Sequence, residues 1–207
     1  CSSLTSVTIP DSVTTIGDGA FADCDSLKEF KGKYAADGGR CLIIDGVLNA
    51  FAIGCGVTQY TIPDSVTEIG EWAFNWCSSL TSVTIPDSVT TIGEQAFAHC
   101  ESLTSVTIPD SVTTIGDEAF YSCYSLISVT IPDSVTTIGE MAFFSCSSLK
   151  TVYCKPTTPP TGGVEMFYDN AAGRRIFVPA SDDDSIINAY KAKQYWSNYA
   201  NYIFEEE

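Results

Sequence analysis

Apolar and polar residues follow a pattern that returns every 23 positions, as from Phe97 to Phe120 to Phe143. In the unit that opens at Leu103, the apolar positions are Leu103, Val106, Ile108, Val112, Ile115, Ala119, Phe120 and Cys123. Val106 and Ile108 alternate with Ser105 and Thr107, which predicts a strand with one buried face. Pro109 cannot donate to a strand ladder and Asp110 favours a turn, so the strand ends there. Val112 and Ile115 predict a second short extended segment, and Gly116 allows a tight turn after it. From Asp117 onward, a single helical turn would place Ala119, Phe120 and Cys123 on one face, with its acids at the end that the helix dipole favours.

The same unit recurs along most of the chain. Phe21, Phe74, Phe97, Phe120 and Phe143 are each followed three places later by Cys24, Cys77, Cys100, Cys123 and Cys146. Cys1 and Leu4 fall in register with Cys77 and Leu80, so Cys1 reads as a repeat cysteine, and further repeats or a cap are expected upstream. Between Phe21 and Phe74 lies one irregular coil, at about residues 27–60. There Leu27 to Phe30 stands in for the first strand. Cys41 to Ile44 and Val47 to Phe51, joined by Asp45-Gly46, predict a β-hairpin with Cys41 opposite Ala50. After Lys150 the pattern decays. Residues 155–163 read as a loop, Ile176 to Val178 as a strand, and 182–197 as a helix with Ser181 and Asp184 as a capping box. Tyr202 to Phe204 read as a closing strand. Ile187, Tyr190 and Trp196 are available to cover the open end.

A lone unit of this kind cannot fold, because its few buried side chains do not offset the entropy of ordering the backbone. Stacked units share faces and strand ladders, which is how repeat proteins become stable. The predicted fold is a leucine-rich-repeat solenoid, a right-handed β/α superhelix rich in strands with short helical turns. It carries an irregular hairpin coil and a C-terminal helical cap. Repeats occupy 1–154 and the cap 155–207, within one structural domain.

The repeated Leu103, Val106, Ile108-Pro109-Asp110-Ser111-Val112, Ile115-Gly116, Ala119-Phe120 and Cys123 resembles the BspA-like, or Treponema-type, leucine-rich repeat family over residues 1–154. The hairpin coil and the cap around Trp196 and Tyr199 are similar to those of its bacterial members. The resemblance implies a cell-surface or secreted protein of host-associated organisms. It also implies adhesion to host extracellular-matrix proteins or to microbial surface proteins. It supplies no catalytic residues.

Composition narrows the class further. Apolar residues make up 44% of the chain and charged residues 17%, which excludes intrinsic disorder. No apolar run reaches the length of a membrane span, so direct membrane insertion of this segment is not expected. The formal net charge is −16, from 26 acids and 10 bases. Residues 41 to 149 contain no Lys or Arg at all. Nucleic-acid binding needs cations that displace counterions, so that class is set aside.

The candidate chemistry is sparse. The cysteine column lacks the close pairs of a zinc site and reads as buried thiols. Cys41 and Cys55 sit near the hairpin, and whether they pair is left open. His99 is the single histidine; it occupies a variable position and reads as surface decoration, so no catalytic triad, metal site or cofactor is expected. Asp11, Asp64, Asp87, Asp110 and Asp133 form one acid column. Asp18, Glu71, Glu94, Asp117 and Glu140 form another. Like charges about 5 Å apart repel by about 0.8 kcal/mol in water, which turns and helix starts can tolerate.

Two features remain as candidate partner-binding surfaces. One is an uncharged face built from Ser82, Thr84, Ser105, Thr107, Ser128 and Thr130, either a solvated β-surface or a concave binding face for protein or glycan. The other is a surplus of aromatics at variable positions. Trp72 and Trp76 are expected on one face of a helical turn, and Tyr121, Tyr124 and Phe144 follow in later coils. These are either interface anchors or packing between neighbouring turns. The expectation is a non-catalytic extracellular or cell-surface recognition module that binds a protein partner. The alternatives are a passive spacer or a glycan-binding surface.

Overall fold

The computed structural model describes residues 1–206. The repeat pattern becomes two parallel ladders facing each other across one core. The ladder with the longer repeat strands, the long sheet, is a seven-stranded parallel sheet made, in spatial order, of Gln59–Thr61, Ser82–Thr84, Ser105–Thr107, Ser128–Ile131, Thr151–Cys154, Arg175–Val178 and Ile203–Glu205. Neighbouring coils pair in strict repeat register, with Ser105 opposite Ser82 and Val106 opposite Val83. The second ladder is an eight-stranded sheet that begins with Ala35–Ala36 and the hairpin strands Cys41–Ile44 and Val47–Phe51, and continues through Glu68–Ile69, Thr91–Ile92, Thr114–Ile115 and Thr137–Ile138 to Thr161–Gly162. Val83, Val106 and Val129 point inward from the long sheet, and Ile92, Ile115 and Ile138 from the narrow one, all buried.

Phe74, Phe97, Phe120, Phe143 and Phe167 form one internal file. Their ring centroids lie 5.0 to 5.4 Å apart, and their planes are within 14° of parallel. Phe21 is outside this file and meets Phe30 edge-on at 5.1 Å. The first coil and the hairpin coil hold a smaller core of their own around Ile9, Leu27, Phe30 and Leu42. There the strands Ser6–Ile9 and Glu29–Gly32 pair as a separate two-stranded sheet.

The segment expected to form a helical turn does not. It is a run of tight turns with two left-handed residues per coil, such as Glu118 (φ 52°) and Ser122 (φ 56°). Alternate amides there serve different coils. Tyr121 N–H donates to Glu118 O within the coil at 2.9 Å, while Phe120 N–H donates to Ala142 O of the next coil at 2.7 Å. A helical turn would turn its amides and carbonyls along its own axis and leave the neighbouring coil unpaired, so the stacking requirement wins over local helix preference.

The hairpin forms as expected at Asp45 (φ 50°) and Gly46 (φ 85°). Its register differs: an irregularity between Leu42 and Ile43 places Cys41 opposite Phe51 and Leu42 opposite Ala50. The extra residue on the Asn49 strand lets both Leu42 and Ala50 reach the smaller core.

The backbone does not change path at residue 154. Thr161–Gly162 still pairs with Thr137–Ile138, and Phe167 still stacks on Phe143. The cap helix is shorter than expected, Ser185–Ala192, and is followed by a 3-10 segment, Trp196–Tyr202. Ser181 Oγ accepts the Ile186 amide at 3.2 Å, while Asp184 is left-handed and caps nothing through its side chain. The break at Lys193 to Tyr195 swings Trp196 under the solenoid. Its Nε1 donates to Pro160 O at 2.9 Å, and its ring, with that of Tyr199, lies 5.8 Å from Phe167. Tyr190 is also fully buried and donates through its hydroxyl to Pro156 O. The last coil is thereby sealed, with Ile203–Glu205 closing the long sheet.

Candidate functional site

The aromatic surplus resolves into a second file of rings, outside the core and parallel to it. Trp76 stacks on His99 at 4.1 Å with an interplanar angle of 8°. His99 meets Tyr121 at 5.5 Å, Tyr121 stacks on Phe144 at 5.2 Å, and Phe144 on Tyr168 at 5.5 Å. Five coils are thus joined on one outer edge. Trp76 and Tyr168, at its two ends, are 42% and 55% exposed, while the rings between them are half-buried. The file exists because the side chains at the tight turns project outward and are repeated at the coil spacing.

Trp72 and Trp76 do not share a helical face, since no helix forms. Both are left-handed (φ 63° and 61°), and their rings go to different neighbours. Trp72 is half-buried, with its indole packed over Gly19 of the first coil. Tyr124 is exposed but stacks on no ring of the file. His99, expected as decoration, is the bridge between Trp76 and Tyr121. Burial holds its imidazole below the usual histidine range, opposed by the charge of Glu101, and its Nδ1 has no hydrogen-bond partner. Tyr168 escaped the sequence reading because its coil has a 24-residue spacing and no Ala-Phe-x-x-Cys signature. The aromatic at the position after Phe143 and Phe167 was the signal.

The Ser/Thr face lies where expected. Ser82, Thr84, Ser105, Thr107, Ser128 and Thr130 are the outward positions of the long sheet, mostly exposed. Among the described residues, their hydroxyls bond to no protein group. Hydroxyls elsewhere are engaged: Ser88, Ser111 and Ser134 donate to Val66, Val89 and Val112 carbonyls at 2.6 to 2.7 Å, tying one coil to the one before.

The cysteine column is structural in geometry. Cys100, Cys123 and Cys146 donate from Sγ to the Phe74, Phe97 and Phe120 carbonyls at 3.2 to 3.3 Å, fully buried. Burial raises the thiol pKa of Cys100 and Cys123 well above the usual range. Cys41 and Cys55 are both free thiols; Cys41 accepts the Tyr60 hydroxyl at 3.4 Å. The acid columns are mutually repulsive, as expected. Glu71 and Glu118 are raised above the usual carboxylate range, first by partial burial and then by neighbouring acids, Glu94 among them. Asp117 Oδ1 accepts the Glu140 amide of the next coil at 2.7 Å. Among the described residues, no group of three or more His, Cys, Asp or Glu could hold a metal ion. Among the described residues, no helix is long and apolar enough to cross a membrane.

Comparison with known proteins agrees with this geometry. The model of the BspA type leucine rich repeat region matches residues 1–35 and 48–171, in six copies. A leucine rich cell surface protein from Faecalibacterium prausnitzii is 30% identical, with a TM-score of 0.77. The alignment covers 90% of this chain but 50% of that one. The leucine rich repeat protein of T. pallidum is 26% identical over 77% of this chain and 72% of its own, with a TM-score of 0.61. The pneumococcal vaccine antigen PcpA is 20% identical and shares the fold, with a TM-score of 0.71 over 99% of this chain and 56% of its own. No curated protein aligns significantly. With six copies of the repeat model over most of its length, the chain belongs to the BspA type leucine-rich repeat family.

Proposed function

We propose that the chain is a non-catalytic recognition or adhesion module of a cell-surface or secreted protein, and that it binds a protein partner through the outer file Trp76, His99, Tyr121, Phe144 and Tyr168. The observation that carries this reading is the file itself. Each coil already has its core Phe, so the outer rings are not needed to fill the interior. Aromatic side chains are also favoured as anchors of protein interfaces. The name of the Faecalibacterium relative, a cell surface protein, supports the location. The partner class is a host extracellular-matrix or microbial surface protein. A net charge of −16 favours cationic partners and speeds their association at low salt.

The test is binding of the chain to a panel of immobilised matrix proteins, with and without the Trp76→Ala substitution. An exposed anchor costs roughly 2 kcal/mol when truncated, so affinity should fall about thirtyfold at unchanged thermal stability. A panel bound equally by the variant argues against the file. A panel that binds nothing favours a spacer.

A further inference from the structure

The long sheet changes character along its length. From Ser82–Thr84 to Ser128–Ile131 its outward positions carry free hydroxyls and no charge. Beyond these, the same columns become Thr151 then Arg175, and Tyr153, then Phe177, then Phe204. Tyr153 stacks on Phe177 at 5.4 Å, and Phe177 lies 6.4 Å from Phe204. The Arg175 guanidinium sits 4.8 Å from the Phe177 ring centre and 4.7 Å from that of Phe204. The next guanidinium along the chain, Arg174, sits 4.5 Å from Tyr202 and 5.2 Å from Tyr199.

Among the described residues, neither arginine pairs with a carboxylate. The ion pairs among the described residues are Lys31 with Glu29, Arg40 with Asp37 and Lys155 with Glu206. Arg174 Nε is buried without a partner. The two are adjacent guanidinium groups in a chain with 26 acids and 10 bases, and each lies against two aromatic rings. Little side-chain freedom therefore remains to be lost on binding. The planar N–H edge of a guanidinium stacked in this way suits a carboxylate or sulfate group.

We propose that this end of the long sheet, Arg174 and Arg175 with the rows of hydroxyls leading to them, binds a linear acidic polysaccharide. The guanidinium groups take its anionic groups, and Ser105, Thr107, Ser128 and Thr130 take its sugar hydroxyls. Serine and threonine are poor anchors for a protein partner, which makes the hydroxyl rows unlike a protein-binding face. Identical hydroxyls repeated at the strand spacing of about 4.8 Å fit a ligand that is itself periodic. The site lies on a different face from the outer aromatic file and does not depend on it.

The test uses the intact chain against immobilised hyaluronate, which is carboxylated, and heparin, which is sulfated. Neutral dextran and poly-glutamate serve as competitors. The chain should bind at least one acidic polysaccharide, more weakly as sodium chloride is raised, and dextran should not compete. The double substitution Arg174→Gln, Arg175→Gln should cost roughly tenfold or more in affinity, the loss expected when charge-assisted hydrogen bonds go. Because Arg174 is half-buried, the exposed Arg175→Lys variant is read alongside it. It keeps the charge and the fold but loses the planar fork, and should also weaken binding. Preference for hyaluronate assigns the carboxylate, and preference for heparin the sulfate. The proposal is overturned if neither polysaccharide binds, if folded variants bind as the parent does, or if poly-glutamate competes as well as the bound polysaccharide.

Discussion

Cys123 and His99 show how a position in the repeat decides what a side chain does. Cys123 looks like redox or metal chemistry only until its Sγ is seen donating to the Phe97 carbonyl at 3.2 Å inside the core. A buried thiol whose pKa is pushed up is a poor nucleophile. In the native chain, a thiol reagent such as DTNB should therefore label the exposed Cys1 promptly. The column Cys77, Cys100, Cys123 and Cys146 should react only on addition of denaturant. Fast native labelling of the column would contradict the packing. The burial of these thiols was readable from their spacing, because each follows a core Phe by three residues. The role of His99 was not. One residue gives no period, and its neighbours in the file, Trp76 and Tyr121, are 23 and 22 positions away and occupy two different columns of the repeat.

At the scale of the coil, strands and their faces were readable from the alternation around Val106 and Ile108, while the turns after Gly116 were not. A period of three to four fits both a helical turn and a pair of tight turns, and only the inter-coil hydrogen bonds separate them. Close stacking makes a prediction that the local conformation does not. A methyl group built on Gly116 would lie 2.7 Å from the Gly93 carbonyl carbon and 2.8 Å from Glu94 N, both backbone atoms of the adjacent coil. On Gly17 it would meet nothing within 4 Å. Gly116→Ala should destabilise by about 1–3 kcal/mol, as overpacking does. Gly17→Ala should be neutral or stabilise by up to roughly 1 kcal/mol, through the unfolded chain. Denaturant melts of the two variants check this, and equal effects would mean that the coils are not in close contact at the glycine column.

Over the whole molecule, titrating groups make stability depend on pH. Glu71 and Glu118 have folded pKa values above that of a free glutamate. The folded state therefore holds more protons than the unfolded one at pH values just above 4.5, and stability rises as pH falls into that window. His99 works in the opposite sense. Its folded pKa lies below 6.5, so acidification through 6.5 protonates the unfolded chain first and costs stability. A His99→Phe variant keeps the stack and removes the opposing contribution. Its melting temperature should rise from pH 7 to pH 5, by more than that of the parent, and a fall over that interval would contradict the reading of the acid columns. The solenoid, its hairpin and its cap were all visible as a broken period in the sequence. The outer file and the arginine end of the sheet became visible only with coordinates, because both depend on which columns of neighbouring coils come side by side.

The central claim, that the outer aromatic file is the contact surface for a protein partner, is tested most directly by hydrogen–deuterium exchange. The chain is compared alone and with the matrix protein that binds it best. The account predicts slowed exchange at the turn segments bearing Trp76, His99, Tyr121, Phe144 and Tyr168, in consecutive coils and on that edge. Protection confined to the narrow sheet or to the cap, with these turns unchanged, would contradict it.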